Sequence, residues 1–140
     1  MSRHFVTLRV PDQGGEYVLA GRMWVLAGAP QELIDAEQGS VAGHVTQSLF
    51  GRRQWSGVDS PVLFAGQYED QESGWVYNRF RFYDPAGGVY GAQDPLGVGP
   101  NVGTAQGYVA NPLTWVDALG LKALMLSETP QTICNKKLLG

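Results

Sequence analysis

From Phe5 to Val10 the side chains alternate, with Phe5, Thr7 and Arg9 against Val6, Leu8 and Val10, and after Pro11-Asp-Gln-Gly-Gly15 comes a second apolar stretch, Tyr17-Val-Leu19. A two-residue period is that of a strand, whose successive side chains point to opposite faces, so this segment predicts strand, turn, strand. The pattern sharpens at Gly28-Ala-Pro-Gln-Glu-Leu33-Ile-Asp35-Ala-Glu-Gln-Gly39, followed by Val41 to Leu49, which reads as a hairpin closed by an Asp/Gly turn. A polar loop, Trp55-Ser-Gly-Val-Asp-Ser60, leads to a predicted strand over Pro61 to Tyr68, and Glu69 to Gly74 supplies the next turn.

The densest strand chemistry lies between Trp75 and Tyr83, where nearly every residue is aromatic, β-branched or a long-stemmed Arg. Alternation places Val76, Asn78, Phe80 and Phe82 on one face and Trp75, Tyr77, Arg79, Arg81 and Tyr83 on the other. Asp84-Pro-Ala-Gly-Gly88 then joins a proline of fixed φ to two glycines, so the chain is expected to turn there and return through Val89-Tyr90. Strands near 62–68, 75–83 and 88–92 should form one antiparallel sheet. From Leu96 to Leu121 the chain is rich in Gly, Asn and Pro, which predicts an irregular segment anchored by Tyr108, Val109, Leu113, Trp115 and Val116. Leu121 to Leu126 has a helical look that Thr129-Pro130 stops.

Composition narrows the class. With 19 glycines, 8 prolines and 16% charged residues in 140, no long helix fits before the C-terminus, and one all-β, turn-rich domain is expected. A net charge of −3 offers no general footprint for nucleic acid, and Arg52-Arg53 and Lys136-Lys137 are too short to make one. Cys134 is the only cysteine, which rules out an internal disulfide and a cysteine-based metal cluster; His4 and His44 are isolated, so neither metal nor cofactor is expected. The N-terminus lacks a signal-length apolar core and no stretch approaches a membrane span, which predicts synthesis in the cytoplasm and leaves export by a specialised secretion system open.

A series of short motifs runs through the second half in fixed order: Gly66-Gln-Tyr68, Glu72-Ser-Gly74, Tyr77-Asn-Arg79, Phe82-Tyr-Asp-Pro85, Asp94-Pro-Leu-Gly97, Gly107-Tyr-Val109, Asn111-Pro112 and Val116-Asp-Ala-Leu-Gly-Leu121. With them the chain resembles the core domain that closes the repeat shell of Rhs (YD-repeat) proteins, the bacterial polymorphic toxins. The resemblance divides the chain into a poorly matched segment 1–27, a degenerate YD repeat 28–60, the Rhs core 61–121 and a variable tail 122–140. Within the repeat Gln47-Ser48 stand where Tyr-Asp is usual. The resemblance implies a hairpin ribbon of shell type ending in an inward plug. The partners it implies are upstream Rhs repeats or self-association through open sheet edges, together with the secretion machinery and immunity protein of a parent toxin. The tail is too short for a toxin domain.

The resemblance also implies chemistry. In the family the core is an aspartic autoprotease that cuts just past its last motif; carried over, this names Asp94 and Asp117 as catalytic and the bond between Leu121 and Lys122 as the one cut. Ala118 replaces the family's proline. Two carboxyls in a low-dielectric cavity cannot both ionise, so one can act as base on water while the other donates to the peptide carbonyl. Read locally, each Asp is as well suited to capping a turn through backbone amides two residues on. Arg79 and Arg81 could orient a carboxylate through their forks, or lay their stems on the sheet with heads in water. Trp75, Tyr77 and Tyr83 could stack on a sugar, although strand aromatics are more often core. Three classes follow: autoprotease, inactive structural remnant and carbohydrate-binding module.

Overall fold

The computed structural model describes residues 4–10, 15–21, 28–97 and 104–125, and within them all regular structure is β, arranged in antiparallel sheets. Five strands, β1 (His4–Val10), β2 (Gly15–Gly21), β3 (Glu32–Asp35), β4 (Val41–Gln47) and β5 (Arg53–Gly57), pair in sequence order as an antiparallel meander. The two strands expected near the N-terminus are present and pair with each other, the residues between them lying outside those described, and β2 continues the sheet by pairing with β3 from Tyr17↔Asp35 to Ala20↔Glu32. At the β3–β4 turn Asp35 Oδ1 accepts the amides of Glu37 and Gln38, each at 2.9 Å, satisfying donors that the reversal leaves without ladder partners. Leu33 is fully buried and packs against the half-buried Ala42, Trp55, Val58 and Val62.

A second sheet contains β6 (Tyr68–Glu69), β7 (Val76–Asn78), β8 (Arg81–Asp84) and β9 (Val89–Tyr90), again in order and antiparallel. Here the expectation of one strand over 75–83 is corrected. The run folds into a hairpin whose loop is only Arg79-Phe80, since Asn78 pairs with Arg81, Tyr77 with Phe82 and Val76 with Tyr83. Residues directly opposite in such a pair share a face, so the loop resets the alternation. Val76, Asn78, Arg81 and Tyr83 face inward, while Trp75, Tyr77, Phe80 and Phe82 are 40–55% exposed. The aromatics expected as core are therefore divided between core and surface.

The strands expected at 62–68 and 88–92 shrink to β6 and β9. Upstream of β6 only a Val62↔Tyr68 bridge remains, because Gln67 N–H closes a tight turn on the Phe64 carbonyl at 2.9 Å and buries Leu63 and Phe64. Turns do fall at the expected places, closed by Gly74 N–H on Asp70 O and by Gly88 N–H on Asp84 O, both at 2.8 Å.

Irregular chain from residue 104 leads to β10 (Trp115–Val116), which pairs with β11 (Leu124–Met125). The helical look of Leu121–Leu126 is thus corrected as far as Met125. One apolar turn is too short to nucleate a helix, and Trp115–Val116 offer an extended partner, with Val116 opposite Leu124 and Trp115 opposite Met125. The rest of that stretch, Thr129-Pro130 and Cys134 lie outside the described residues. The main core sits between the four-stranded sheet and the irregular segment and contains Leu63, Phe64, Val76, Tyr83, Tyr90, Tyr108, Val109 and Val116. Tyr83 and Tyr108 centre it with ring centroids 4.7 Å apart.

Candidate functional site

The inward positions of β7 and β8 carry two polar side chains, Asn78 and Arg81, into this core. A buried guanidinium must find acceptors for its fixed fork of N–H groups, and the irregular segment supplies them. Arg81 Nε donates to the Gly120 carbonyl at 2.5 Å and Nη1 to the Ala105 carbonyl at 3.0 Å. Nη2 donates to both predicted aspartates, Asp94 Oδ2 at 3.1 Å and Asp117 Oδ2 at 3.4 Å. The three side chains are 3%, 7% and 2% exposed. Asp94 and Asp117 therefore meet through a shared cation, which offsets the repulsion between two close carboxylates.

Each aspartate also performs the turn role that its sequence neighbours suggested. Asp94 Oδ1 accepts the Leu96 amide at 2.8 Å; Asp117 Oδ1 accepts the amides of Leu119 at 3.3 Å and Leu121 at 2.9 Å. Capping uses one oxygen of each carboxylate and leaves the other to face Arg81. The two carboxylates differ in what remains: Asp117 receives four donors, two on each oxygen, whereas Asp94 receives one on each.

The segment just before the expected cut is held on both sides. Arg81 takes the Gly120 carbonyl and Asp117 the Leu121 amide, so the Gly120–Leu121 peptide is fixed, and the Leu121 carbonyl is the next along the chain. Gly120 has φ +70, and a Cβ there would lie 2.6 Å from the Asn78 carbonyl oxygen, so the close passage of this segment over the β7–β8 loop requires glycine. Lys122 is exposed.

Arg79 is not brought to the carboxylates. It occupies the hairpin loop at φ 56, exposed, with its guanidinium 5.3 Å from the Phe80 ring. An open cleft of about 530 Å³, lined by Ser73, Trp75, Phe80, Arg81, Phe82, Gly91 and Ala92, touches the site only through Arg81. Among the described residues no three His, Cys, Asp or Glu side chains cluster as metal ligands, and no helix is long and apolar enough to cross a membrane.

Two site residues escaped the sequence reading. Tyr90 hydroxyl donates to Asp117 Oδ2 at 2.9 Å and its ring lies under the Arg81 guanidinium, 3.7 Å from Cζ. Asn78 Nδ2 donates to the Tyr90 hydroxyl at 2.7 Å and to the Asp117 carbonyl at 2.9 Å. Burial first, then the Asp117 carboxylate, pushes the Tyr90 phenol far above its ordinary range, which keeps it a donor. The available signal was Asn78 itself, a polar residue sharing the parity of Val76 on a strand otherwise suited to burial.

No protein-family model matches the chain. It is similar to the probable deoxyribonuclease RhsA of Dickeya dadantii, with 45% identity over 98 residues, covering 67% of this chain and 7% of the relative. The double-stranded DNA deaminase toxin A of Burkholderia cenocepacia is 43% identical over 103 residues, again 67% of this chain and 7% of that protein. The toxin protein Tse5 of Pseudomonas aeruginosa is 43% identical over 63 residues, 35% of this chain and 5% of that one. In three dimensions, a chain of the TcdB2–TccC3–Cdc42 crystal structure aligns with a TM-score of 0.55 at 18% identity, covering 85% of this chain and 6% of its own length, a likeness of fold. The relatives of this all-β chain are thus Rhs toxin proteins, and it spans about 7% of the first of them.

Proposed function

We propose that the chain is the closing piece of an Rhs-type, toxin-enclosing β shell, that residues 28–60 act in it as a degenerate YD repeat, and that it cuts itself between Leu121 and Lys122. One observation carries the reading: Asp94 and Asp117 converge on a single nitrogen of Arg81, whose Nε holds the Gly120 carbonyl. Arg81 is the orienting residue of this reading; the exposed Arg79 has no part in it. The comparisons support the shell half of the proposal. Relatives named for different activities, a probable deoxyribonuclease and a DNA deaminase toxin, each match about two thirds of this chain, as expected of a common carrier joined to variable cargo.

The chemistry is hydrolysis. Asp94, with fewer donors on its oxygens, takes a proton from water as the water oxygen attacks the Leu121 carbonyl carbon. Asp117 and Arg81 hold the segment while the tetrahedral centre forms and collapses. The C–N bond then breaks, the proton passes to the Lys122 nitrogen, and the products are a Leu121 carboxylate and a Lys122 amine. Each copy reacts once.

Intact mass after incubation at mildly acidic and neutral pH tests this. The expected product ends at Leu121 and disappears in both Asp94→Asn and Asp117→Asn. A full-length mass that persists at every pH makes both aspartates turn residues, and the chain an inactive shell remnant. Carbohydrate binding is the other reading that an observation favours, through the outward Trp75, Tyr77, Phe80 and Phe82. A saturable change in tryptophan fluorescence with glycan, lost in Trp75→Ala, would establish it.

A further inference from the structure

We propose that Tyr90, steadied by Asn78, is the positioning residue that fixes the Asp117 carboxylate for cleavage. The inference rests on the self-cleavage reading and adds to it a hydroxyl that the motifs do not single out. Of the two Asp117 oxygens, Oδ1 is set by backbone amides of its own loop, a local turn that any Asp could make. What sets Oδ2 is a pair of side chains from the sheet: Arg81 at 3.4 Å, near the limit of a hydrogen bond, and Tyr90 at 2.9 Å, well within it. The shorter bond therefore decides where Oδ2 points.

Tyr90 is itself held. Its ring packs 5.7 Å from Tyr83 and 5.9 Å from Tyr108, and Arg81 lies on its face, so the ring cannot swing. The amide of Asn78 fixes the hydroxyl by donating to it, which leaves the phenolic proton directed to Asp117. The same amide ties the Asp117 main-chain carbonyl. Asn78 thus joins both ends of the residue to one point on β7. The charged and titratable groups facing the hydroxyl are Asp117 from the irregular segment, Arg81 and Tyr83 from β8, and Tyr108, with Asp94 reached through Arg81.

Tyr90→Phe tests this in the full chain, because it removes the hydroxyl and keeps the ring in place over Arg81. The rate of appearance of the product ending at Leu121 is followed by intact mass across pH. The expected result is a fall of roughly tenfold to a hundredfold, the worth of a hydrogen bond to a charged group, with the pH–rate profile displaced along the pH axis. Asn78→Ala, which removes the amide donor and leaves Tyr90, should move the profile the same way by less. Tyr68→Phe is the control, since its side chain is exposed on the same sheet and touches no member of the site; rate and profile should stay as in the parent chain. If the parent chain cuts and Tyr90→Phe cuts at the same rate and pH, the inference fails and the self-cleavage reading stands. A parent chain that never cuts overturns both.

Discussion

The five-stranded sheet has strands of up to seven residues in nearly unbroken register, yet among the described residues its own buried cluster is Leu33 with four half-buried neighbours. The four-stranded sheet has strands of two to four residues, and behind it lie the tyrosine cluster and a buried network of one cation and two carboxylates. In the first, the ladders join neighbours in sequence; in the second, described side chains reach up to 39 residues along the chain. A ladder tolerates variation in its side chains, provided that alternation is kept, whereas a buried charge network fails when one member is lost. The candidate site lies in the region that local pairing could not hold on its own.

The comparison is broken most severely by alkali. Burial raises the phenols of Tyr83, Tyr90 and Tyr108 above the unfolded value near 10, so the stability they contribute is whole below about pH 10 and is lost as the pH rises beyond it. By about pH 12 the loss is on the order of 2 kcal/mol for each tyrosine, enough together to melt a small β region. Near-UV circular dichroism and phenolate absorbance should change together, and hydrogen exchange should show the four-stranded sheet opening before the five-stranded one. Phenolate forming while the native spectrum persists would show that the cluster is not sealed.

Next in size is Arg81→Leu. It leaves two buried carboxylates facing each other without their cation, at a cost of about 3–5 kcal/mol in a denaturant titration. Arg53→Leu, whose partner Glu69 is 24% exposed on its side chain, should cost less because water can take over the carboxylate. Equal losses would remove the distinction between the sealed network and this pair, which joins β5 to β6 where water reaches the carboxylate.

Smallest is a pair of glycine substitutions. Gly120 and Gly39 have nearly the same backbone angle, φ +70 and +67, but a Cβ at 39 meets nothing within 4 Å while one at 120 runs into the Asn78 carbonyl. Gly39→Ala should cost about 1 kcal/mol, the conformational penalty alone, and Gly120→Ala about 2–4 kcal/mol from penalty and clash combined. Thermal unfolding of the two variants gives the difference directly.

What could be read in advance divides along the same line. Alternation and Asp/Gly turns placed the hairpins of the first sheet and the turns after Asp70 and Asp84, because in those places local chemistry decides. The β7–β8 loop was invisible. Arg79-Phe80 contains no turn-forming residue, and the strain of φ 56 at Arg79 is offset from a distance, where Leu119 O accepts the Phe80 amide at 3.3 Å and Gly120 passes beneath. Missing that loop put Arg81 on the wrong face and made a solvated head the easier reading for a side chain that is 3% exposed. The motif order pointed to Asp94 and Asp117, since the resemblance preserves position. It could not show the cation between them, because which strand residue reaches two loops is a property of the packed fold.

Arg81 reaches forward 13, 24, 36 and 39 residues for its four hydrogen bonds, and every one of those partners is made after it on the ribosome. The guanidinium therefore stays hydrated until the chain as far as Gly120 has emerged and folded back across β7 and β8. The last of these partners to be made, Gly120, completes the network and lies beside the residue whose carbonyl is proposed to be cut. The scission proposed there would have to follow that closure, since until then Arg81 holds neither aspartate nor the Gly120 carbonyl.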